Sequence, residues 1–220
     1  MEIDYNKVER LIAYVFRTAT QGDAESILAA IDTFCYTQEW CMNVGDVKGQ
    51  FVTEAILCHK PKILVELGGY VGYSAIKFST LIKDDPGAHY YTIEFDSILA
   101  CVIEKMLRFA GLDHKVTVLK GNLQENITAL KEKYNVQTID FLFIDHIKSS
   151  YLSDFQLAES YGLFHKGTVI AADNIINPGA PDYLSHMQAH NKFESNLIDT
   201  EYEYTKGQEK DAVLISICIE

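Results

Sequence analysis

Two acids and an amide stand where apolar runs stop. Asp145 closes "IDFLFI" and Asp173-Asn174 close "GTVIAA". If these runs are neighbouring strands, three oxygen ligands converge on one small volume. Oxygen-only ligation by few protein groups suits Mg²⁺, which keeps positions open for water and substrate oxygens; Ca²⁺ takes a larger cage and Zn²⁺ prefers His or Cys. The plainer reading makes Asp145 a helix cap and Asp173-Asn174 a turn. Lys148 lies three residues beyond Asp145. Most lysines are solvated, but one facing a metal has its charged form disfavoured by a like charge, which brings its pKa toward that of a usable base. His146 is read as stacking or hydrogen bonding beside a cofactor, or as packing. Neighbours in an extended strand end point opposite ways, so it is not given the base role.

A second group surrounds "VELGGYVGYSA" (65–75). Its glycines make a tight turn between a strand and a helix, letting backbone approach a ligand. The pattern does not match G-x-G-x-x-G. It is closer to the E-x-G-x-x-x-G turn of methyltransferases that use S-adenosylmethionine. Glu66 would repel a pyrophosphate but suits an ammonium or sulfonium. Ser74 is either a capping residue or a contact to the amino-acid part of such a cofactor. Glu94, ending "YYTIEFD", stands at the distance past the glycines that ribose recognition uses. Gly121 and Gln124, in "KGNLQ", are placed beside an adenine.

The elements that must position these residues follow from periodicity. Helical patterns fill the first sixty residues. Val8, Leu11, Ile12, Val15 and Phe16 form one stripe, Asp23 is an expected N-cap, and a third helix stops at Pro61. Strand-like runs then appear at 62–67, 89–95, 115–119, 138–144 and 167–172, with helical patterns at 73–83, 97–110, 124–134 and 151–163. Apolar strands alternating with helices predict a parallel doubly wound α/β sheet, whose ligands sit beyond the carboxyl ends of the strands. After a helix near 180–190, "FESNLIDTEYEYT" and "DAVLISICI" read as two antiparallel strands at one edge, making seven. No linker or repeat interrupts the chain, so 1–220 is read as one domain with a helical cover over 1–60.

The formal charge of −12 argues against nucleic acid or an anionic membrane as partner. No apolar run reaches membrane-span length, and the start lacks a cleavable leader pattern. Five scattered cysteines without C-x-x-C spacing fit free thiols. A cytoplasmic protein is expected.

Several segments, in order, resemble the catechol O-methyltransferases: "EWCMNVGDVKGQ" (39–50), "ELGGYVGYSA" (66–75), "FAGLDHKVTVLKG" (109–121), "IDHIKSSYL" (144–152), "KGTVIAADNIINPGAPD" (166–182) and "EYEY" (201–204). The resemblance covers almost the whole chain. It implies a Rossmann-like fold and Mg²⁺-dependent transfer of a methyl from S-adenosylmethionine to one hydroxyl of a small-molecule catechol. It further implies Asp145, Asp173 and Asn174 as metal ligands, Lys148 as general base and Glu203 as holder of the second hydroxyl. Met42, Asn43, Val44, Glu66, Tyr70 and Ser74 would take the cofactor's methionine end, and His146 would also lie near the cofactor. Glu94 would take the ribose and Gly121 and Gln124 the adenine. Trp40 and Pro178 would wall the catechol, and Lys48 would lie in a loop over the cofactor. A monomer or weak homodimer is expected.

This chain also departs from the family pattern. Ile147 stands where an aromatic is usual, Tyr202 replaces an aliphatic gatekeeper, Leu123 a small polar residue and Leu99 an aromatic. Three other readings remain in view: a cation-dependent methyltransferase for a different vicinal diol, a dinucleotide oxidoreductase, and a silent binding protein.

Overall fold

The computed structural model describes residues 3–220. Three helices come first: α1 (Tyr5–Thr18), α2 (Ala24–Thr37) and α3 (Gly45–His59). Five strands then alternate with helices: β1 (Ile63–Leu67), α4 (Tyr73–Thr80), β2 (His89–Glu94), α5 (Ser97–Ala110), β3 (Val116–Lys120), α6 (Leu123–Glu132), β4 (Phe141–Ile144), α7 (Tyr151–Ser160) and β5 (Val169–Ala172). The chain closes with α8 (Pro181–Ala189), β6 (Phe193–Glu201) and β7 (Lys210–Cys218).

The seven strands form one sheet in the order β3-β2-β1-β4-β5-β7-β6. The first five run parallel, whereas β7 is antiparallel to β5 and to β6. This is the doubly wound sheet with an antiparallel edge that the periodicity predicted, and the Rossmann-like fold that the resemblance implied. Strand order reverses between β1 and β4, so a crevice opens beyond their carboxyl ends.

The local reasons match the sequence. Asp4, Asp23 and Asp96 cap α1, α2 and α5, each accepting backbone N–H bonds in the first turn, and Asn122 with Glu125 forms a reciprocal capping box on α6. Val8, Leu11, Ile12 and Val15 are the buried stripe of α1; Phe16 is only partly buried against that core. β4 is shorter than the run at 138–144. Bonded through its backbone to Ile63 at 3.0 Å and Val169 at 2.9 Å, Asp140 still continues the ladder. Its carboxylate accepts the N–H groups of Lys62 and Ile63, both at 2.8 Å, and so stitches the start of β1.

Apolar side chains fill both faces of the sheet. One face, with Leu64, Phe141, Phe143, Val169 and Ala171, packs under α1–α5; the other, with Leu142, Ile144, Ile170 and Ala172, packs under α6–α8. Leu99 belongs to the first core and Leu123 to the second. Among the described residues, no helix is long and apolar enough to cross a membrane.

Candidate active site

β4 and β5 lie side by side, with Ile144 opposite Ala172. The ladder runs one residue further: Asp145 N–H donates to the Leu67 carbonyl at 2.9 Å, and Asp173 N–H to the Ile144 carbonyl at 3.0 Å. Asp145 and Asp173 therefore follow neighbouring strands by one step. Since side chains alternate, both share a face with Phe143 and Ala171, the face that α3 covers. The two strand ends do meet.

α3 brings Lys48 to them. Its ammonium lies 2.7 Å from Glu203 Oε2 and 2.9 Å from both Asp173 Oδ2 and Asp211 Oδ2, with the side chain wholly buried. Burial alone would drive a lysine toward neutrality. The three carboxylates outweigh it and hold the pKa above the ordinary value. Lys48 is thus on a helix inside an acid cluster, not in a loop over a cofactor. The resemblance does not carry its contacts, because the fourth residue of α3 faces wherever the helix packing turns it.

Lys148 is held separately. It donates to Asp145 Oδ1 at 3.0 Å and to the Tyr151 hydroxyl at 2.6 Å, while that hydroxyl donates to the Asp173 carbonyl at 3.1 Å. Burial first, and Asp173 next among the groups that raise it, push Asp145 up to about 8 despite the two lysines. His146 turns the other way, as expected, bonding Asp154 at 2.7 Å and stacking on Tyr151.

Asn174 adopts a left-handed backbone, φ 54°. Its amide nitrogen donates to Asp211 Oδ2 at 2.9 Å and Glu203 Oε2 at 3.3 Å. Glu203 sits in the loop after β6, pushed above the usual carboxylate range by burial, with Lys48 opposing. That loop is tied down on both sides. The Trp40 indole donates to the Glu203 carbonyl at 3.1 Å, and Tyr204 joins Tyr73 in donating to Asp32. Trp40 and Tyr202 stack with ring centres 5.8 Å apart. Pro178 is exposed on the turn Ile175–Gly179, and Ile147 is exposed as well.

At β1 the turn is tightly built. A Cβ at Gly68 would meet the Asp145 carbonyl oxygen at 2.6 Å, which brings the ends of β1 and β4 together. The turn's N–H groups point inward rather than toward a ligand. Glu94 accepts from Gly69 at 3.1 Å and Tyr70 at 2.9 Å, and its other oxygen from Asp96 at 2.8 Å. That corrects the expectation that this backbone is free to approach a ligand: the carboxylate at the end of the next strand takes those donors first. Glu66 is different. It is fully buried, and neither carboxylate oxygen has a hydrogen-bond partner. Burial lifts its pKa to about 7; the hydroxyls of Ser74, Thr92 and Tyr90 stand near enough to oppose that rise in part, but none meets hydrogen-bond geometry with the carboxylate. Ser74, Asn43 and Val44 are buried, Tyr70 and Met42 half-buried, Gly121 half-exposed, and Gln124 exposed. The three in this last stretch of chain, Met42 to Val44, lead directly into α3.

Among the described residues, no three His, Cys, Asp or Glu side chains are arranged to hold a metal ion. The expected set has two carboxylates and an amide. Its chemistry fits a hard cation: Asp173 Oδ1 is buried without a partner, and the Asn174 amide, its nitrogen committed to carboxylates, has only its oxygen left to give. The unpartnered Glu66 likewise fits a cationic ligand group. Sequence reasoning missed Tyr151 and Asp211. Nothing local marks them, since one begins an ordinary helix and the other lies at the start of the last strand.

Comparison with known proteins agrees with this architecture. The family model described as O-methyltransferase matches residues 18–198. The chain is 43% identical over 201 residues to the catechol O-methyltransferase of Bos taurus, covering 91% of this chain and 73% of that protein. It is 44% identical to the catechol O-methyltransferase of Mus musculus, covering 91% and 75%. Among solved structures, the O-methyltransferase from Bacillus cereus in complex with SAH superposes with a TM-score of 0.72, at 20% identity over 89% of this chain and 90% of that one. A buried Lys–carboxylate cluster at the carboxyl edge of a Rossmann-like sheet thus sits in a chain that belongs to the O-methyltransferase family of enzymes.

Proposed function

We propose that this enzyme transfers the methyl group of S-adenosylmethionine to one hydroxyl of a small-molecule catechol, with Mg²⁺ required, giving a guaiacol-type monomethyl ether and S-adenosylhomocysteine. The observation that carries this reading is the placement of Lys148 3.0 Å from Asp145, beside Asp173 and Asn174 at adjoining strand ends. The catechol O-methyltransferases that share over two-fifths of its residues support the substrate class.

Asp145, Asp173 and Asn174 would hold the metal. Glu66, Ser74, Tyr70, Met42, Asn43 and Val44 would surround the cofactor's methionine end, with Glu94 toward the ribose and His146, Gly121 and Gln124 toward the adenine. Trp40, Tyr202 and Pro178 would wall the catechol ring. When bound, Mg²⁺ supplies the positive charge that acidifies the hydroxyl, and S-adenosylmethionine supplies the methyl as a sulfonium.

Lys148, in its amine form, takes the proton of the hydroxyl to be methylated. Glu203 accepts a hydrogen bond from the second hydroxyl and so fixes which oxygen faces the methyl. The phenolate oxygen then forms the new C–O bond as the C–S bond breaks. Opposite charges cancel in that step, so a dry pocket favours it over water. Orientation supplies up to about 7–11 kcal/mol of barrier reduction, and a general base typically about 10²–10⁴-fold in rate. Holding the partners in line therefore outweighs the proton transfer.

The whole chain would act as one methyltransferase domain, a cytoplasmic monomer or weak homodimer with no nucleic-acid or membrane partner. The test is a panel of dopamine, caffeate and a flavonol with methyl-labelled S-adenosylmethionine, with and without Mg²⁺, identifying the labelled oxygen. Label on one catechol oxygen only when Mg²⁺ is present is the expected result. Full activity after chelation, or in Asp145→Ala, overturns the metal requirement. The stacked Trp40–Tyr202 pair and the exposed Ile147 favour, as a second reading, a vicinal diol on a larger ring system; preference for caffeate or the flavonol over dopamine would select it.

A further inference from the structure

Asp211 is the most heavily engaged polar side chain outside the roles assigned so far. It is buried at the start of β7. Its Oδ1 accepts the backbone N–H groups of Ile176 at 3.2 Å and Asn177 at 3.0 Å, and its Oδ2 accepts from Lys48 and from the Asn174 amide nitrogen, each at 2.9 Å. One carboxylate thus grips the turn after Asn174 and the Asn174 side chain together.

The consequence follows from the donor inventory. An ionised carboxylate only accepts, whereas an asparagine amide has one donating end and one accepting end. The end of Asn174 that faces Asp211 and Glu203 must be its nitrogen, so its oxygen faces away from both. A cation needs the oxygen. Turned over, the same amide would set a lone pair against two carboxylates and offer N–H groups to a positive ion.

We infer that Asp211 is a positioning residue that, with Lys48 neutralising it from behind, locks the Asn174 amide with its oxygen outward as a metal donor. This rests on the proposed metal site. Groups that orient ligands commonly contribute about 10–100-fold in metal affinity.

The test uses Mn²⁺ alone, titrated into the full chain and read by the electron paramagnetic resonance signal of the free ion. In Asp211→Asn the retained oxygen still accepts from Ile176 and Asn177, and Lys48 keeps two carboxylates, so the fold is preserved. The new amide nitrogen, however, faces two donors, and Asn174 turns over to relieve it. Mn²⁺ affinity should fall about 10–100-fold, while S-adenosylmethionine affinity by calorimetry stays unchanged. In an Asn174→Asp background there is no wrong end to present, so adding Asp211→Asn should cost far less.

An equal loss in both backgrounds assigns the effect to charge or folding and overturns the inference. Unchanged Mn²⁺ binding in Asp211→Asn overturns it too, leaving the metal site intact. A wild type that binds no Mn²⁺ removes the metal site itself and this role with it. A readout independent of variants is the Asn174 side chain in ¹³C,¹⁵N-labelled wild type. Mg²⁺ should shift its Cγ while its NH₂ protons remain slow to exchange. Freely exchanging NH₂ protons would refute the lock.

Discussion

Lys148 and Tyr151 are joined by a hydrogen bond of 2.6 Å, and the same phenol donates to the Asp173 carbonyl. The proposed base is therefore held by a rigid, wholly buried ring from the opposite side of the sheet rather than by a flexible neighbour. Tyr151→Phe leaves the ammonium and the Asp173 carbonyl each one partner short. The expected cost is about 1–3 kcal/mol of stability. Loss of aim should lower kcat on the order of 10–100-fold with KM for S-adenosylmethionine unchanged. Steady-state kinetics beside a thermal melt measures both, and an unaltered kcat would free Lys148 from dependence on the phenol.

Lys148→Ala removes the proton acceptor itself. Turnover should fall by about 10²–10⁴-fold, whereas calorimetric binding of S-adenosylmethionine persists. Near-normal turnover across a pH profile would take Lys148 out of the mechanism.

Lys48→Met leaves Asp173, Glu203 and Asp211 facing one another in a buried site. Removing one side of such a cluster costs about 3–5 kcal/mol, which corresponds to a Tm roughly 10 °C lower for a chain of this size. Added Mg²⁺ should recover more of the Tm in the variant than in wild type, because the variant lacks the internal cation. A melt insensitive to both changes would show that the cluster is not ionised as drawn.

Burial holds Glu66 at about 7 against an ordinary value of 4.5. Its folded pKa is raised, so folding favours the protonated form. Ligand-free stability from this group is complete below the unfolded value and is lost as pH rises toward 7. At about 1.4 kcal/mol per unit the loss is roughly 3 kcal/mol. Asp32, held at about 6 by burial, adds a slope of the same sign, so the measurement is the difference between wild type and Glu66→Gln. The wild type should lose stability relative to the variant between pH 4.5 and 7. Parallel curves would mean that the acid is not buried and alone.

Tyr202→Leu deletes one ring of the Trp40–Tyr202 stack. Such pairs contribute about 0.5–1.5 kcal/mol, so a modest drop in Tm is expected, with a wider pocket mouth. KM should fall for the flavonol and rise for dopamine. An unchanged preference between the two would exclude Tyr202 as a specificity residue.

Much was legible in the chain. Apolar runs that need cover on both faces could only be parallel strands between helices, and the acids that end them could only lie at the carboxyl edge. Asp145, Asp173, Asn174 and Lys148 were readable for that reason: their places follow from strand periodicity, a property of local sequence. The end of α1's stripe at Phe16 and the start of β4 were the softer edges; Asp140 keeps the ladder's backbone bonds while its side chain also ties down the start of β1.

The sequence by itself determined the sheet, its crevice and the acids at its rim. Only the tertiary structure decided which groups surround those acids and fix their charge and aim. Lys48, Tyr151 and Asp211 come from an N-terminal helix, a helix on the far face and the last strand, and no spacing in the chain links them. They meet because a buried charge must be matched where it lies, and the groups that match it are whichever ones helix packing and strand order deliver to that point.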